Sequence, residues 1–189
     1  MADASYVELI KKIKEVAKSD YDAIESIVKS ENSTRTDGKI ISNAFDEYII
    51  INSDIIDHHS EEFKKIRGRK AVYVFKMIDD WSVPEDFNRF NYCAKKNNIH
   101  TTEFKKGSCL YVGKTYKAIE RVHEHYAKGN STTSSLKLEW KERKGLKESS
   151  IMFIFFLKKG LNEYHGTILP LVEENLHEYM KPLTGSSRI

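Results

Sequence analysis

The sequence predicts a small mixed α/β domain of the α+β kind behind an acidic, mainly helical extension, and three stretches carry that prediction. Ala71 to Met77 (AVYVFKM) and Ile151 to Leu157 (IMFIFFL) are apolar runs of strand length, rich in β-branched and aromatic residues. Between them, Cys109 to Gly129 (CLYVGKTYKAIERVHEHYAKG) opens on β-prone Cys109, Leu110, Tyr111 and Val112 and breaks at Gly113-Lys114-Thr115. It continues with Ile119, Val122 and Tyr126 at helical spacing, so it reads as strand, tight turn, helix. With Thr167 to Met180 as a closing helix, the order after residue 70 is β, β, α, α, β, α.

The elements follow from local pattern. Residues 4 to 31 predict one or two amphipathic helices, with Val7, Ile10, Ile13, Val16 and Ala17 on one stripe and Ile24, Ile27 and Val28 on another. Glu31 to Lys39 is polar and turn-like, and Ile40 to Asp57 fits helix or strand equally. Ser60-Glu-Glu-Phe63 begins a short helix that Arg67-Gly68 ends. Asp79 to Gly107 is an insertion, in which Ser82-Val-Pro-Glu85 resembles a capping box opening a helix with Phe87, Phe90 and Ala94 on one side. Leu136 to Leu146 predicts a very basic helix. In the last helix Pro170 sits in the first turn, with Leu171, Val172, Leu176 and Tyr179 inward. The domains drawn on this basis are an extension over 1 to 67 and an α/β domain over 68 to 189.

Composition narrows the function classes. At 189 residues the chain is long enough for a substantial core, and no run reaches the roughly 18 apolar residues of a membrane span. Met1 to Ser5 and the amphipathic pattern after it hold no signal-peptide core, and Cys93 and Cys109 lie sixteen positions apart without a CxxC. The expectation is a cytoplasmic protein with reduced thiols and no membrane partner. The net charge of +3 hides a polarised chain. Residues 1 to 62 hold 7 basic and 14 acidic side chains, whereas residues 95 to 147 hold 13 basic and 5 acidic. A basic stretch over the strand-turn-helix is what a polyanion-binding surface requires, although a solvated lysine-rich face has the same composition.

Chemistry concentrates in the same stretch. Arg121 and His125 stand four apart on one helix face and point toward the strand end that carries Tyr111 and Lys114. A phenol, an ammonium, a guanidinium and an imidazole so placed suit a phosphate. Gly-Lys-Thr also ends a nucleotide-binding P-loop, but that motif needs glycine at position 108, where Ser108 stands.

Taken together, Ala71-Val72-Tyr73, Tyr111-Val112-Gly113, Lys114 directly after it, Arg121 seven further on, His125 four beyond that, and Glu173 with Leu176, Lys181 and Pro182 resemble the GIY-YIG nuclease family over residues 68 to 185. Ala71 replaces the family's first glycine, and its asparagine falls at Gly185. The resemblance implies a GIY-YIG-like sheet flanked by helices and a catalytic set of Tyr73, Tyr111, Lys114, Arg121, His125 and Glu173. It further implies a single divalent cation, Mg²⁺ or Mn²⁺, on Glu173. Tyr111 is expected as general base, with the Lys114 ammonium favouring its phenolate and Tyr73 as its partner or substitute. Arg121 would fork onto phosphate oxygens, and His125 would hydrogen-bond the phosphate or relay a proton.

The expected function is a metal-dependent DNA endonuclease, of restriction or defence type by its size. Double-stranded DNA would be gripped by Lys105, Lys106, Lys117, Lys128, Lys137, Lys141, Arg143 and Lys144. A homodimer would bring two sites to two strands. A module of this family that binds nucleic acid without cutting, and a structure-selective repair or recombination nuclease, remain open alternatives, as does an RNA substrate.

Overall fold

The most apolar run of the chain becomes the interior of a four-stranded antiparallel sheet. The computed structural model describes residues 18, 22, 45–51, 66–82, 103–126, 135, 136, 138 and 144–183. In chain order these form β1 (Phe45–Ile51), β2 (Ala71–Met77), β3 (Trp81–Ser82), β4 (Glu103–Phe104), β5 (Cys109–Thr115), α1 (Ala118–Tyr126), α2 (Lys144–Glu148), β6 (Ser150–Leu157), a 3-10 helix (Lys159–Tyr164) and α3 (His165–Met180). The main sheet has the order β1-β6-β2-β5. Every residue of β6 is buried, as expected of a strand covered on both faces. The architecture is mixed α and β, as the sequence predicts.

Strand alternation sorts the core into two layers. On one face Ala71, Tyr73, Phe75, Met77, Met152, Ile154 and Phe156 pack with Ala118, Val122 and Tyr126 of α1. On the other, Val72, Val74, Val112, Phe153 and Phe155 pack with Ile168, Leu169, Val172 and Leu176 of α3. A bulge interrupts the β2–β5 register, because Phe75 pairs with Tyr111 and Lys76 with Cys109. The unpaired Leu110 changes the alternation, so that Leu110 and Tyr111 both join the α1 layer while Cys109 and Val112 join the other.

Several local expectations change. Gly113-Lys114-Thr115 does not turn: these residues continue β5 opposite Tyr73, Val72 and Ala71. The turn comes at Tyr116-Lys117, where the Thr115 hydroxyl accepts the Lys117 N–H at 3.0 Å and the Ala118 N–H donates to the Arg69 carbonyl at 3.1 Å. The ambiguous isoleucine-rich stretch supplies β1, which pairs with β6 from Phe45 to Ile51. The sheet therefore draws a strand from before residue 68, because β6 has an edge that β1 must cover. The basic helix expected from Leu136 is helical among the described residues only over Lys144–Glu148. Leu136 and Leu138 instead bury themselves beneath α1, and the Leu138 N–H donates to the His125 carbonyl at 2.7 Å.

The last helix starts two residues earlier than expected, which moves Pro170 out of its first turn. Ile168 and Leu169 take inward positions, whereas Tyr179 is 68% exposed. Lys181, at φ 45°, ends the helix in the left-handed conformation that usually falls to glycine, and the Leu183 N–H then donates to the Cys109 carbonyl at 3.0 Å. Within the insertion, β3 and β4 form a two-stranded ribbon. Gly107 at φ 84° and its N–H bond of 2.8 Å to the Met77 carbonyl close the base of that ribbon. The amphipathic helices of residues 4 to 31 are described only at Lys18 and Asp22, both helical. The short helix at Ser60 to Phe63 and the capping-box helix with Phe87, Phe90 and Ala94 lie outside the described residues. Among the described residues no helix is long and apolar enough to cross a membrane.

Tyr126 joins α1 to β1, its buried hydroxyl donating to the Ile51 carbonyl at 2.9 Å. Tyr126→Phe leaves that carbonyl without the bond and is expected to cost about 1–2 kcal/mol in urea unfolding. An unchanged midpoint would show that β1 is held by its ladder alone.

Candidate active site

Four of the six residues selected by spacing meet in the α1 layer. Tyr73 projects from β2 across its register partner Gly113, and its ring runs nearly parallel to that of Tyr111, with centroids 6.0 Å apart and planes at 9°. Gly113 is required here for space. A Cβ at that position would lie 2.5 Å from the Tyr73 Cζ and would also collide with the phenol oxygen. From α1, the Arg121 Nε–H donates to the Tyr73 hydroxyl at 2.7 Å, and Nη2 reaches the Tyr111 hydroxyl at 3.4 Å. Nη1 holds Glu124, one turn further along the helix, at 2.5 Å.

His125 completes the cluster from beneath. The Leu136 backbone N–H donates to its Nδ1 at 3.0 Å, so the neutral ring carries its proton on Nε2, 3.2 Å from the Tyr73 hydroxyl. The Tyr73 oxygen thus accepts from both Arg121 and His125. His125 is fully buried, and its Nε2 faces the Tyr73 hydroxyl. Its side chain also packs edge-on against both phenols, with centroids at 5.2 Å.

The electrostatics follow from burial. Burial, reinforced by the neighbouring Tyr111 and by Glu173, pushes the Tyr73 phenol well above its usual range, against the pull of Arg121. Burial and then Arg121 hold the His125 imidazole well below the usual histidine value. Burial opposes the Arg121 charge, but Tyr73, Tyr111 and the bonds to Tyr73 and Glu124 outweigh it, and Arg121 stays a cation. Tyr73 is therefore a neutral, fully buried phenol. Tyr111, at 9% exposure, is the phenol nearer to solvent.

Lys114 and Glu173 lie on the other side of β5. Lys114 is three residues after Tyr111, and strand alternation sends the two side chains to opposite faces. The Lys114 ammonium is held by Glu173, and the Arg121 guanidinium reaches the Tyr111 hydroxyl. Glu173, from α3, bridges Lys114: one carboxylate oxygen accepts the Lys114 backbone N–H at 3.1 Å and the other accepts its ammonium. Both side chains are about one-quarter exposed, at 25% and 24%. Because β5 is the edge strand, Glu173 is near enough to act electrostatically on Tyr73 around that edge.

One neighbour was missed by the sequence reading. His177, four residues after Glu173 on α3, is half-buried, and burial holds its imidazole below the usual histidine value against the opposing pull of Glu173. Its i, i+4 spacing from Glu173 is the signal that could have found it. Among the described residues, the expected DNA-gripping side chains are not gathered at one place. Lys117 is exposed in the turn beside the cluster. Lys105 and Lys106 are exposed at the opposite end of β5, where Lys105 lies 3.7 Å from Asp80 and the Lys106 N–H donates to the same carboxylate at 2.7 Å. Lys144 opens α2, and Lys128, Lys137, Lys141 and Arg143 lie outside the described residues, as does Gly185.

A divalent cation finds one carboxylate in this cluster. Among the described residues no group of three or more His, Cys, Asp or Glu side chains is placed to hold a metal. Glu173 nevertheless already holds a cation, the Lys114 ammonium, and so presents an anionic oxygen in a cation-binding arrangement. That fits a hard ion which keeps most of its water and takes its remaining ligands from a substrate.

The buried neutral imidazole makes stability depend on pH. The folded pKa of His125 lies below the unfolded value of about 6.5, so the unfolded chain binds the extra proton and stability falls as pH drops through that value. Urea midpoints at pH 7.5 and pH 5 should show this loss, and His125→Gln should have a shallower pH dependence. An equal dependence in the two proteins would place the titrating group elsewhere.

The sequence matches no protein-family model, and no curated protein or solved structure matches it. The chemistry of the cluster therefore has to be read from its own side chains.

Proposed function

We propose that the protein is a metal-dependent DNA endonuclease that hydrolyses phosphodiester bonds with a GIY-YIG-type site. One observation carries the reading: Arg121 donates to the hydroxyls of both Tyr73 and Tyr111, with His125 locked beneath them. The shared guanidinium gives the outer phenol a reason to lose its proton.

Hydrolysis needs a deprotonated water, positive charge against the phosphoryl oxygens and help for the departing oxygen. Tyr111 is the proposed base, because it is the more exposed of the two tyrosines and Arg121 favours its phenolate. Tyr73 and His125 orient Arg121 and are positioning residues. Arg121 keeps its Nε bond to Tyr73 and its Nη2 contact with Tyr111, while Nη1 exchanges Glu124 for a phosphate oxygen. Glu173 would hold Mg²⁺ or Mn²⁺, which when bound supplies Lewis-acid charge at the phosphoryl oxygen. Lys114, displaced from Glu173, becomes a second cation for the DNA backbone. The basic stretch around Lys117 and Lys144 supports a polyanionic partner, and a homodimer acting in the cytoplasm, as in restriction or defence, would allow both strands to be cut.

The deciding assay is cleavage of supercoiled plasmid and of branched DNA with and without Mg²⁺ or Mn²⁺. Cutting is expected only with metal, lost in Glu173→Ala, and reduced about 10²–10⁴-fold in Tyr111→Phe. Arg121→Ala should lose at least as much. Binding without cutting in any metal or substrate would leave a nucleic-acid-binding module in place of an enzyme.

A further inference from the structure

Where β2 begins and β5 ends, three segments of the chain meet. The Ala118 N–H donates to the Arg69 carbonyl at 3.1 Å, the Leu157 N–H donates to the Lys70 carbonyl at 2.9 Å, and the rings of Tyr116 and His165 lie 5.0 Å apart. Over residues 66–70, 115–120 and 158–165 these segments carry Arg67, Arg69, Lys70, Lys117, Lys158 and Lys159 against Glu120 and Glu163. Among the described residues, Tyr116 and Tyr179 are the large hydrophobic side chains left exposed, and Tyr116 stands among these charges at 45% exposure. Its ring is braced from beneath. His165 Nδ1 lies 2.5 Å from the Asn162 carbonyl and 3.1 Å from the Lys70 ammonium, which itself donates to that carbonyl at 2.9 Å. The imidazole so fixed meets Tyr116 at 80°, an edge contact that holds the phenol ring without stacking on it.

Position ties this ring to the proposed active site. Tyr116 follows Lys114 by two residues, so it lies no more than about 7 Å further along the chain. Its contact with His165, the first residue of α3, keeps it on the side of the sheet where Glu173 of the same helix holds Lys114. A phosphate held by Lys114 therefore has its neighbouring nucleotide at Tyr116, with Arg67, Lys117 and Lys159 exposed for the backbone beyond. Cations that track the backbone beside an aromatic face that takes a base are how single-stranded nucleic acid is gripped. In a duplex each base is already stacked on its neighbours, and presenting one to a side chain costs that stacking. We propose that Tyr116 is a stacking platform for an unpaired base next to the scissile phosphate, so that the substrate is DNA with an unpaired nucleotide at the cut, as in a flap or a junction. The inference rests on the nuclease reading and names the substrate class of that site.

The test is binding of fluorescein-labelled DNA by the full chain without metal, comparing a single-stranded flap with a matched duplex by anisotropy. A fluorescent base analogue at the unpaired position reports stacking by its quenching. The native protein is expected to bind the flap at least about tenfold more tightly than the duplex and to quench the analogue. Tyr116→Ala should weaken flap binding at least about fivefold, leave duplex binding within about twofold and abolish the quenching, whereas Tyr116→Phe, which keeps the ring, should match the native protein. Lys117→Ala should weaken both DNAs alike and lower the salt dependence. Equal affinity for flap and duplex, no binding of either, flap binding that ignores Tyr116→Ala, or a loss in Tyr116→Phe as large as in Tyr116→Ala overturns the platform. Cleavage of the same DNAs with Mg²⁺ or Mn²⁺ separates the two ideas. Flap cutting that needs Glu173 but ignores Tyr116→Ala defeats the platform and leaves the nuclease standing. Flap binding and quenching through Tyr116 with no cutting in any metal supports the stacking site and defeats the nuclease.

Discussion

The Tyr73 hydroxyl is the contact on which the rest of the site depends. It is a polar atom at the end of a fully buried ring, and a buried hydroxyl left without partners costs on the order of 1–3 kcal/mol. Arg121 and His125 meet that requirement from α1, and in doing so they set how the helix sits on the sheet. His125 can serve only because the backbone at Leu136 supplies its other nitrogen, so a segment beyond α1 is tied in as well. Gly113 completes the set by leaving room for the ring. Five residues from four parts of the chain are thus mutually required, and they hold against two phenols a guanidinium that Glu124 also bridges from its own helix.

The second organising feature is the edge of β5. An uncovered edge strand exposes unpaired N–H and C=O groups and invites pairing with other chains. Here α3 covers it with a side chain: Glu173 takes the Lys114 N–H. The segment after the helix covers the Cys109 carbonyl through Leu183. A structural need and a chemical opportunity coincide in these residues. The same carboxylate that protects the strand can accept a cation, and from the edge it acts on Tyr73 on the opposite face of the sheet.

Periodicity made the interior strands legible. AVYVFKM and IMFIFFL are strands because such dense apolar runs, at that length, suit a sheet covered on both sides. The pairing of Arg121 with His125 was legible for the same reason, since residues four apart share a helix face in any helix. The fate of Gly113-Lys114-Thr115 was not. Glycine and threonine are common in turns, and only the opposing strand β2 shows that these residues extend β5. The bulge at Leu110 was equally hidden, because one inserted residue alters alternation without altering composition. Tyr179 was assigned to the core from its spacing, yet α3 is covered on one side only and its rotation is set by Ile168 and Leu169.

By itself the sequence determined the mixed α and β character, the strands β2 and β6, the shared helix face of Arg121 and His125 and the charge asymmetry along the chain, because these depend on local period and residue type. Tertiary structure alone decided which face of β5 each group occupies, that Lys114 answers to Glu173 rather than to Tyr111, and that His125 is sealed from solvent. It also recruited β1 into the sheet. The physical reason is common to all of these. Side-chain alternation and helix phase are local properties, whereas burial, edge pairing and the sign of the nearest charge depend on neighbours from other parts of the chain, such as Glu173, 59 residues from Lys114.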